Sequence, residues 1–591
     1  MSVNPSPIGG FAAQFFDNNG VILSGGKIFT YAAGTTTPQA TYTSVTGATL
    51  HANPIVLDSA GRVPGGEIWL TDGLVYKFVI ETATSILIGS YDNIAGVNSN
   101  DASLVSYDPP FANSVATNVE AKLAQTISVK DFGAVCDGVT DDSAAVQATI
   151  NAAPEGTQIL LMGSIRLGAT INVNKSVHIF GGGSRQGTQV YAPGINAFNV
   201  TAAGSKISGF RLYGNRTVGS TGITIDNAAK AIVEEMDIEL FGVGIHQRTG
   251  GFHVDLNSLR MRNITTKVIW LEDGVGTRLK DVMYDTDLLS YPQPTFGGIH
   301  LQQEGTQLEL CDFIRAYRGL VIECSASRNI EWVLANNCFF DTCGVKSGGR
   351  GVHIINNQPT NYIRGLWFNQ VWTATCGMGY LIEGTGIIDG VHLDACPIHN
   401  NNNEGIRVDG PLIRNLRIRD CDLVSNNASS VTLPNQNANN VYLNTPWLVQ
   451  LKDSTLENGY NWNSTPYSQL FLDTNQGDVV VAGNVFGSQV ANNILENFSA
   501  GAVWFTEPNF GLLTESVGSV SFGAGDTVKT VAHNLDLTPT VNEIQLTPTT
   551  GWGSSTTWWV ANVTATTFDV QVSPAPGAPT AFNWHAKILT R

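Results

Sequence analysis

One short phrase recurs along the middle of this chain, and its recurrence limits the possible folds more than any other feature. Between about Ser205 and Asn427 nine copies stand roughly 25 residues apart. They read ISGFRLYG from Ile207, VEEMDIEL from Val233, LNSLRMRN from Leu256, LKDVMYDT from Leu279 and LELCDFIR from Leu308. The series continues with IEWVLANN from Ile330, IRGLWFNQ from Ile363, IDGVHLDA from Ile388 and IRNLRIRD from Ile413. Each copy opens on an apolar anchor, passes two variable positions, and then alternates apolar with variable residues. Alternation with period two predicts a strand with one buried face. A strand phrase returning at a long fixed period predicts a solenoid, in which each coil stacks on the last. Outward side chains then form columns, and a groove between columns suits a linear polymer.

The 591 residues exceed one ordinary domain. With 62 Gly and only 14% charged residues, the composition suits short strands joined by tight turns. A net charge of −17 disfavours nucleic acid or an anionic membrane as the main partner. No apolar run reaches the length of a transmembrane helix, so no membrane insertion is expected. The opening MSVNPSPIGG lacks a basic region followed by an apolar core, so no signal peptide is expected. Seven of the eight Cys lie in the repeats without metal-like spacing. Cys338, Cys396 and Cys421 fall eight residues after their anchors, where Phe241, Ile264 and Val371 also fall. They are expected as small buried apolar residues of one inward column.

Five segments are expected. Residues 1–97 form a compact β-rich module, with GGKIFTYAAGTTTPQATYT and EIWLTDGLVYKFVIET alternating between Gly and Pro turns. Residues 98–128 form a neck or linker, and 129–430 the solenoid. Residues 431–515 end it, and 516–591 form a separate β-module rich in Trp. There Trp552, Trp558, Trp559 and Trp584 suit either a core, a subunit interface or sugar stacking. At the solenoid's start VKDFGAV is expected as a strand. It leads to a helix N-capped by Thr140 or Asp141, with Val146 and Ile150 on one face. Such a helix would cap the open end of the first coil. A Ca²⁺ loop from Asp137, Asp141 and Asp142 is disfavoured, because it lacks the spacing and closing Glu of an EF-hand. No metal or other cofactor is expected.

The stretch DFGAVCDGVTDDSAAVQATI closely resembles the opening motif of the pectate-lyase-like right-handed β-helix found in phage tailspikes. Residues 1–97 resemble the virion-attachment (head-binding) module of such proteins, through GGKIFTYAAGTTTPQATYT, NPIVLDSAGRV and YDNIAGV. The last segment resembles the small C-terminal β-sandwiches of phage fibres. The resemblance implies an all-β homotrimeric tailspike located in the virion tail and acting at the host surface. It implies binding, and usually cleavage, of a bacterial capsular polysaccharide or lipopolysaccharide O-antigen. It also implies attachment to a virion protein through residues 1–97.

Hydrolysis of a glycan requires two carboxyl groups, about 5 Å apart for retention and roughly 6.5–9.5 Å apart for inversion. Stacked coils repeat every ~4.8 Å, so adjacent coils suit the first spacing and alternate coils the second. Six residues after the anchors stand Tyr213, Glu239, Arg262, Asp285, Ile314, Asn336, Asn369, Asp394 and Arg419. Glu239 and Asp285 would thus straddle Arg262, with Asp237 close by and Tyr213 at the border. These form the first candidate site, an acid–base pair with an arginine to hold a substrate oxygen. A second column reads His246, Glu272, Gln302, Glu323, Ile355, Glu383 and Asp409, in which Glu272 and Glu323 straddle one coil. Glu309 and Glu331 are expected as neighbours in a third column. Trp332, Trp367 and Trp372 are candidate sugar platforms. His300, His353 and His392 could serve a lyase, and His300 joins Tyr213, Trp332 and Trp367 among the substrate-binding candidates. No GxSxG or HExxH occurs, which leaves a lipase-type esterase or a zincin without support. Three functions remain open: a glycoside hydrolase, a polysaccharide lyase, and an adhesin without catalysis.

Overall fold

The computed structural model describes residues 2–97, 102–183, 185–286, 296–344, 349–426, 439–457, 468–473, 477–487, 492–496, 503–505, 508–549 and 557–589. The chain divides into two compact units, Met1–Gln125 and Thr126–Arg591.

In the first unit Lys27–Ala32 and Val75–Glu81 pair antiparallel, flanked by Ile55–Val56 and Leu87–Ala95. A smaller sheet joins Val3–Pro5, Trp69–Thr71 and Thr41–Tyr42. Alternation along Val75–Glu81 buries Tyr76, Phe78 and Ile80 against Ile28, Ile68 and Leu70.

The second unit is a parallel β-solenoid. One ladder of 27 strands runs from Thr126–Ser128 to Val503–Phe505, turning a corner within each coil. A second ladder of 13 strands runs from Ile171–Val173 to Asn492–Glu496 and closes the coils. The solenoid therefore runs well past residue 430, although the repeat phrase fades there.

Each corner is made by one residue in the left-handed region. Glu235, Ser258, Asp281, Leu310, Asn337, Gln370, Ala395 and Asp420 occupy it on successive coils. Inside, apolar side chains stack on their equivalents one coil away, as Tyr284, Phe313 and Phe340 do. All eight cysteines are free and seven are buried, as their apolar surroundings predict. Their column differs from the expected one. Cys311, Cys338, Val371, Cys396 and Cys421 stack at one corner, whereas Phe241 and Ile264 stand at the next.

The start of the solenoid is a helix, but its entry differs in detail. Val129–Phe132 is a 3-10 turn rather than a strand, and the strand is Asp137–Asp141. The helix spans Ser143–Ala152 with Asp142, not Thr140 or Asp141, at its N-cap position. The Asp142 carboxylate instead accepts from the Val135 and Cys136 amides at 2.7 and 3.1 Å. Asp137 accepts from Val139 and Thr140, and Asp141 from Ser143 and Gly168. Backbone donors thus occupy all three carboxylates of the disfavoured Ca²⁺ loop. Val146 and Ile150 are buried. The Gln147 side-chain amide exchanges both hydrogen bonds with the backbone of Asn172, at 2.8 and 3.1 Å. It satisfies edge groups that the first strand of the shorter ladder would otherwise leave unpaired.

At the other end two three-stranded antiparallel sheets form a sandwich. Glu515–Phe522, Thr580–Lys587 and Ile544–Pro548 make one, and Val528–Ala532, Thr567–Ser573 and Thr557–Ala561 the other. Trp584 is in its core with Phe522, Phe568 and Phe582, whereas Trp558 and Trp559 are exposed. Trp552 lies outside the described residues.

Candidate functional site

Tyr213, Glu239, Arg262 and Asp285 stand opposite one another on four successive coils, as the anchor spacing predicts. So do Arg211, Asp237, Arg260 and Met283. Beyond the fifth coil the expected register breaks. Leu308 lies opposite Ala335 rather than Ile330. Glu309 consequently pairs with Asn336, and Glu331 with Arg364. These two glutamates are not column neighbours. Glu309 reaches Lys280 at 3.2 Å, and Glu331 accepts from the Tyr362 hydroxyl at 2.6 Å. The physical reason is that one coil turns the same kind of corner more than once. Trp332 and Glu235 share the left-handed conformation, with φ of 55° and 53°, at different corners. A phrase that encodes a corner does not say which corner it is.

On the shorter ladder Glu323, Ile355, Glu383 and Asp409 form the expected column. Glu272 and Gln302 extend it, each following a residue of the Leu271–Leu301 pair. His246 does not belong to it and lies opposite Trp270, which lies opposite His300. Each histidine reaches diagonally to a glutamate on a later coil. His246 meets Glu272 at 2.7 Å, His300 meets Glu323 at 2.9 Å, and His353 meets Glu383 at 2.8 Å. Burial pushes all three imidazoles below the ordinary histidine range. His300 is 3% exposed, so it braces Glu323 rather than facing a ligand. Beside it the Lys267 ammonium sits 3.3 Å from the centre of the Trp270 ring, and burial brings its pKa down to about 8.

The acids of the first candidate site are engaged. Glu239 pairs with Arg211 at 3.0 Å. Asp237 accepts from Gln186 at 2.5 Å and lies 3.7 Å from Arg185. Asp285 is half-exposed and lies 3.5 Å from Arg315.

The true register adds a carboxyl that the sequence reading passed over. The column of Arg211, Asp237, Arg260 and Met283 continues through Asp312, Phe339 and Trp372. Asp312 is four residues after Leu308, so extending that column by one coil would have found it. One of its carboxyl oxygens is buried without a hydrogen-bond partner. Burial first, then the charges of Asp341 and Asp285, push its pKa up. Asp285 is on the preceding coil and Asp341 on the following one. Diagonal neighbours on adjacent strands lie roughly 7–8 Å apart, within the span that admits a water. Asp341 accepts hydrogen bonds from Thr342, at 3.2 Å, and from Thr375.

An aromatic path leads away from this cluster. Phe339, 47% exposed, follows Asp312 in the column and stacks on Trp372, with ring centres 6.2 Å apart. Trp372 meets the His399 ring at 5.0 Å. A neighbouring patch holds Trp332, 60% exposed, and Trp367, 37% exposed. Both indoles close over Gly365, whose φ is +65°. A Cβ there would stand 2.9 Å from Trp367 and 3.1 Å from Trp332. His392 tilts against Trp367 at 5.7 Å. Tyr213 stacks on Tyr191 at 4.9 Å upstream. A groove of about 350 Å³ continues past His392, Arg417 and Gln450.

Residues 126–345 match the family described as rhamnogalacturonase A/epimerase, pectate lyase-like. Among curated proteins none matches the chain. Solved structures of similar form include a tailspike protein of E. coli bacteriophage HK620. It has 9% identity and a TM-score of 0.49, covering 83% of this chain and 98% of that one. The tailspike protein gp49 of Pseudomonas phage LKA1 has 12% identity and a TM-score of 0.46, covering 78% and 100%. The A-module of the Azotobacter vinelandii mannuronan C-5 epimerase AlgE6 has 16% identity and a TM-score of 0.44, covering 64% and 99%.

Proposed function

We propose that this chain is a trimeric phage tailspike that hydrolyses a bacterial surface polysaccharide, capsule or O-antigen. Residues 1–97 would attach it to the virion. The observation that carries the hydrolytic reading is the Asp312 cluster at the head of an exposed aromatic column. Asp312, its pKa raised by burial and by two neighbouring acids, is suited to donate a proton to a glycosidic oxygen. Asp285, half-exposed on the adjacent coil, activates the water. The diagonal spacing favours inversion at the anomeric carbon. Phe339 and Trp372 offer flat apolar faces to the sugar rings. Glu239, Asp237 and Arg262 stand on the coils upstream.

The test is incubation with purified capsules and O-antigens, reading new reducing ends and ultraviolet absorbance together. Asp312→Asn should lower turnover about 10²–10⁴-fold while the fold and sugar binding persist. Normal cleavage by that variant would remove Asp312 from the mechanism. Glu239→Gln and Asp285→Asn then decide whether the upstream pair does the work.

A second reading, β-elimination, is favoured by one observation. Lys267, brought to about 8 by burial, stands among Trp270, Glu272 and Glu323 and is suited to abstract a proton. An unsaturated chromophore that disappears in Lys267→Met would support it. Binding without chain shortening would instead mark an adhesin.

A further inference from the structure

Several arginines on the solenoid pair with an acid on a neighbouring coil. Arg278 reaches Asp255, Arg414 reaches Asp389, and Arg419 reaches Asp394. Among the described residues Arg260 and Arg262 have no such pair. They lie two apart on the strand Asp255–Arg262, both pointing outward and both exposed. The residues opposite them on the preceding coil are acids, Asp237 and Glu239. Those acids are taken. Asp237 is held by Gln186 and Arg185, and Glu239 by Arg211. On the following coil Arg260 faces Met283, and Arg262 faces Asp285, which is drawn to Arg315. Among the described residues neither guanidinium has an ion pair or hydrogen bond. In a chain of net charge −17, two adjacent free arginines are kept available although acids stand directly opposite.

We infer that Arg260 and Arg262 form an anion subsite that holds the carboxylate of an acidic sugar, one coil upstream of the catalytic cluster. This deepens the polysaccharide reading and rests on it. Residues i and i+2 of a strand place their side chains on one face roughly 6.6 Å apart. One guanidinium can then grip a carboxylate through two parallel hydrogen bonds while the other binds from the side. The outward columns are cationic at Arg260 and Arg262, acidic at Asp285 and Asp312, and aromatic from Phe339 to Trp372. A chain lying along them has its acidic residue on the Arg260 side of the scissile bond. A less charged residue then stacks on the Trp372 side.

The test is phenylglyoxal modification of the full chain, read peptide by peptide by mass spectrometry, with sodium galacturonate or neutral methyl galactoside present. Galacturonate should strip Arg260 and Arg262 of their reactivity, and methyl galactoside should not. The ion-paired Arg414 and Arg419 should respond to neither sugar. Equal protection by both sugars, or protection by neither, would overturn the subsite. The readout needs no turnover, so it is separable from the depolymerase reading. Protection that persists in Asp312→Asn upholds the subsite. If the parent chain shows it yet shortens no polysaccharide, the subsite stands and the hydrolase reading fails.

Discussion

Glu404 is fully buried, with one carboxyl oxygen unpartnered and the other 3.3 Å from Arg407. Burial raises its pKa from 4.5 to about 7. Because the folded state holds this proton more tightly, its contribution to stability is complete below the unfolded value. That contribution is lost as pH rises through the folded one. The melting temperature of Glu404→Gln should therefore gain on the parent as pH rises from about 4.5 to about 7. A gap that does not change with pH would contradict this. Trp372→Ala makes a different prediction. A stacking platform binds ground and transition states alike, so KM should rise while kcat stays near the parent value. A fall in kcat alone would place Trp372 in the chemistry. Asp312 and Glu404 are both raised, Asp312 half-buried beside two other acids and Glu404 by full burial.

At the scale of the element, the second residue of each strand in the shorter ladder is repeatedly glycine, at Gly298, Gly319, Gly351 and Gly379. The cause is close approach. A Cβ on Gly319 would lie 2.5 Å from the Phe340 ring and 2.6 Å from the Gly351 carbonyl. Gly319→Ala should cost about 1–3 kcal/mol by overpacking, measured by urea unfolding. An unchanged midpoint would show that the coils can part there. The repeat phrase is also best understood at this scale. It encodes strand, left-handed residue, strand, and this unit serves several corners. That is why anchor spacing aligns the first five copies with one another and the last four with one another, but slips at the step between Leu308 and Ile330. The slip separated Glu309 from Glu331, and it hid the continuation of the Asp312 column into Phe339 and Trp372.

At the scale of the molecule, the two units have separate cores, one built around Ile28, Tyr76 and Phe78 and the other from Val129 onward. Removing residues 1–125 should therefore leave polysaccharide cleavage intact and abolish assembly into virions. Lost cleavage in a folded truncation would contradict this. Light scattering should find three chains per particle, and a stable monomer would refute the trimer. Much of this molecule could be read from its residues alone. Alternation told which side chains point inward, including Cys338, Cys396 and Cys421, and the period required a stack. Hydrophobic patterning is local, so it survives without knowledge of neighbours. What only the tertiary structure decided is the register between coils. Register is set by backbone hydrogen bonds between strands that a loop of any length can join. Glu239, Arg262 and Asp285 aligned where the loops kept the spacing regular. Asp341 joined Asp312 and Asp285 only once the ladder had placed each corner over its own partner.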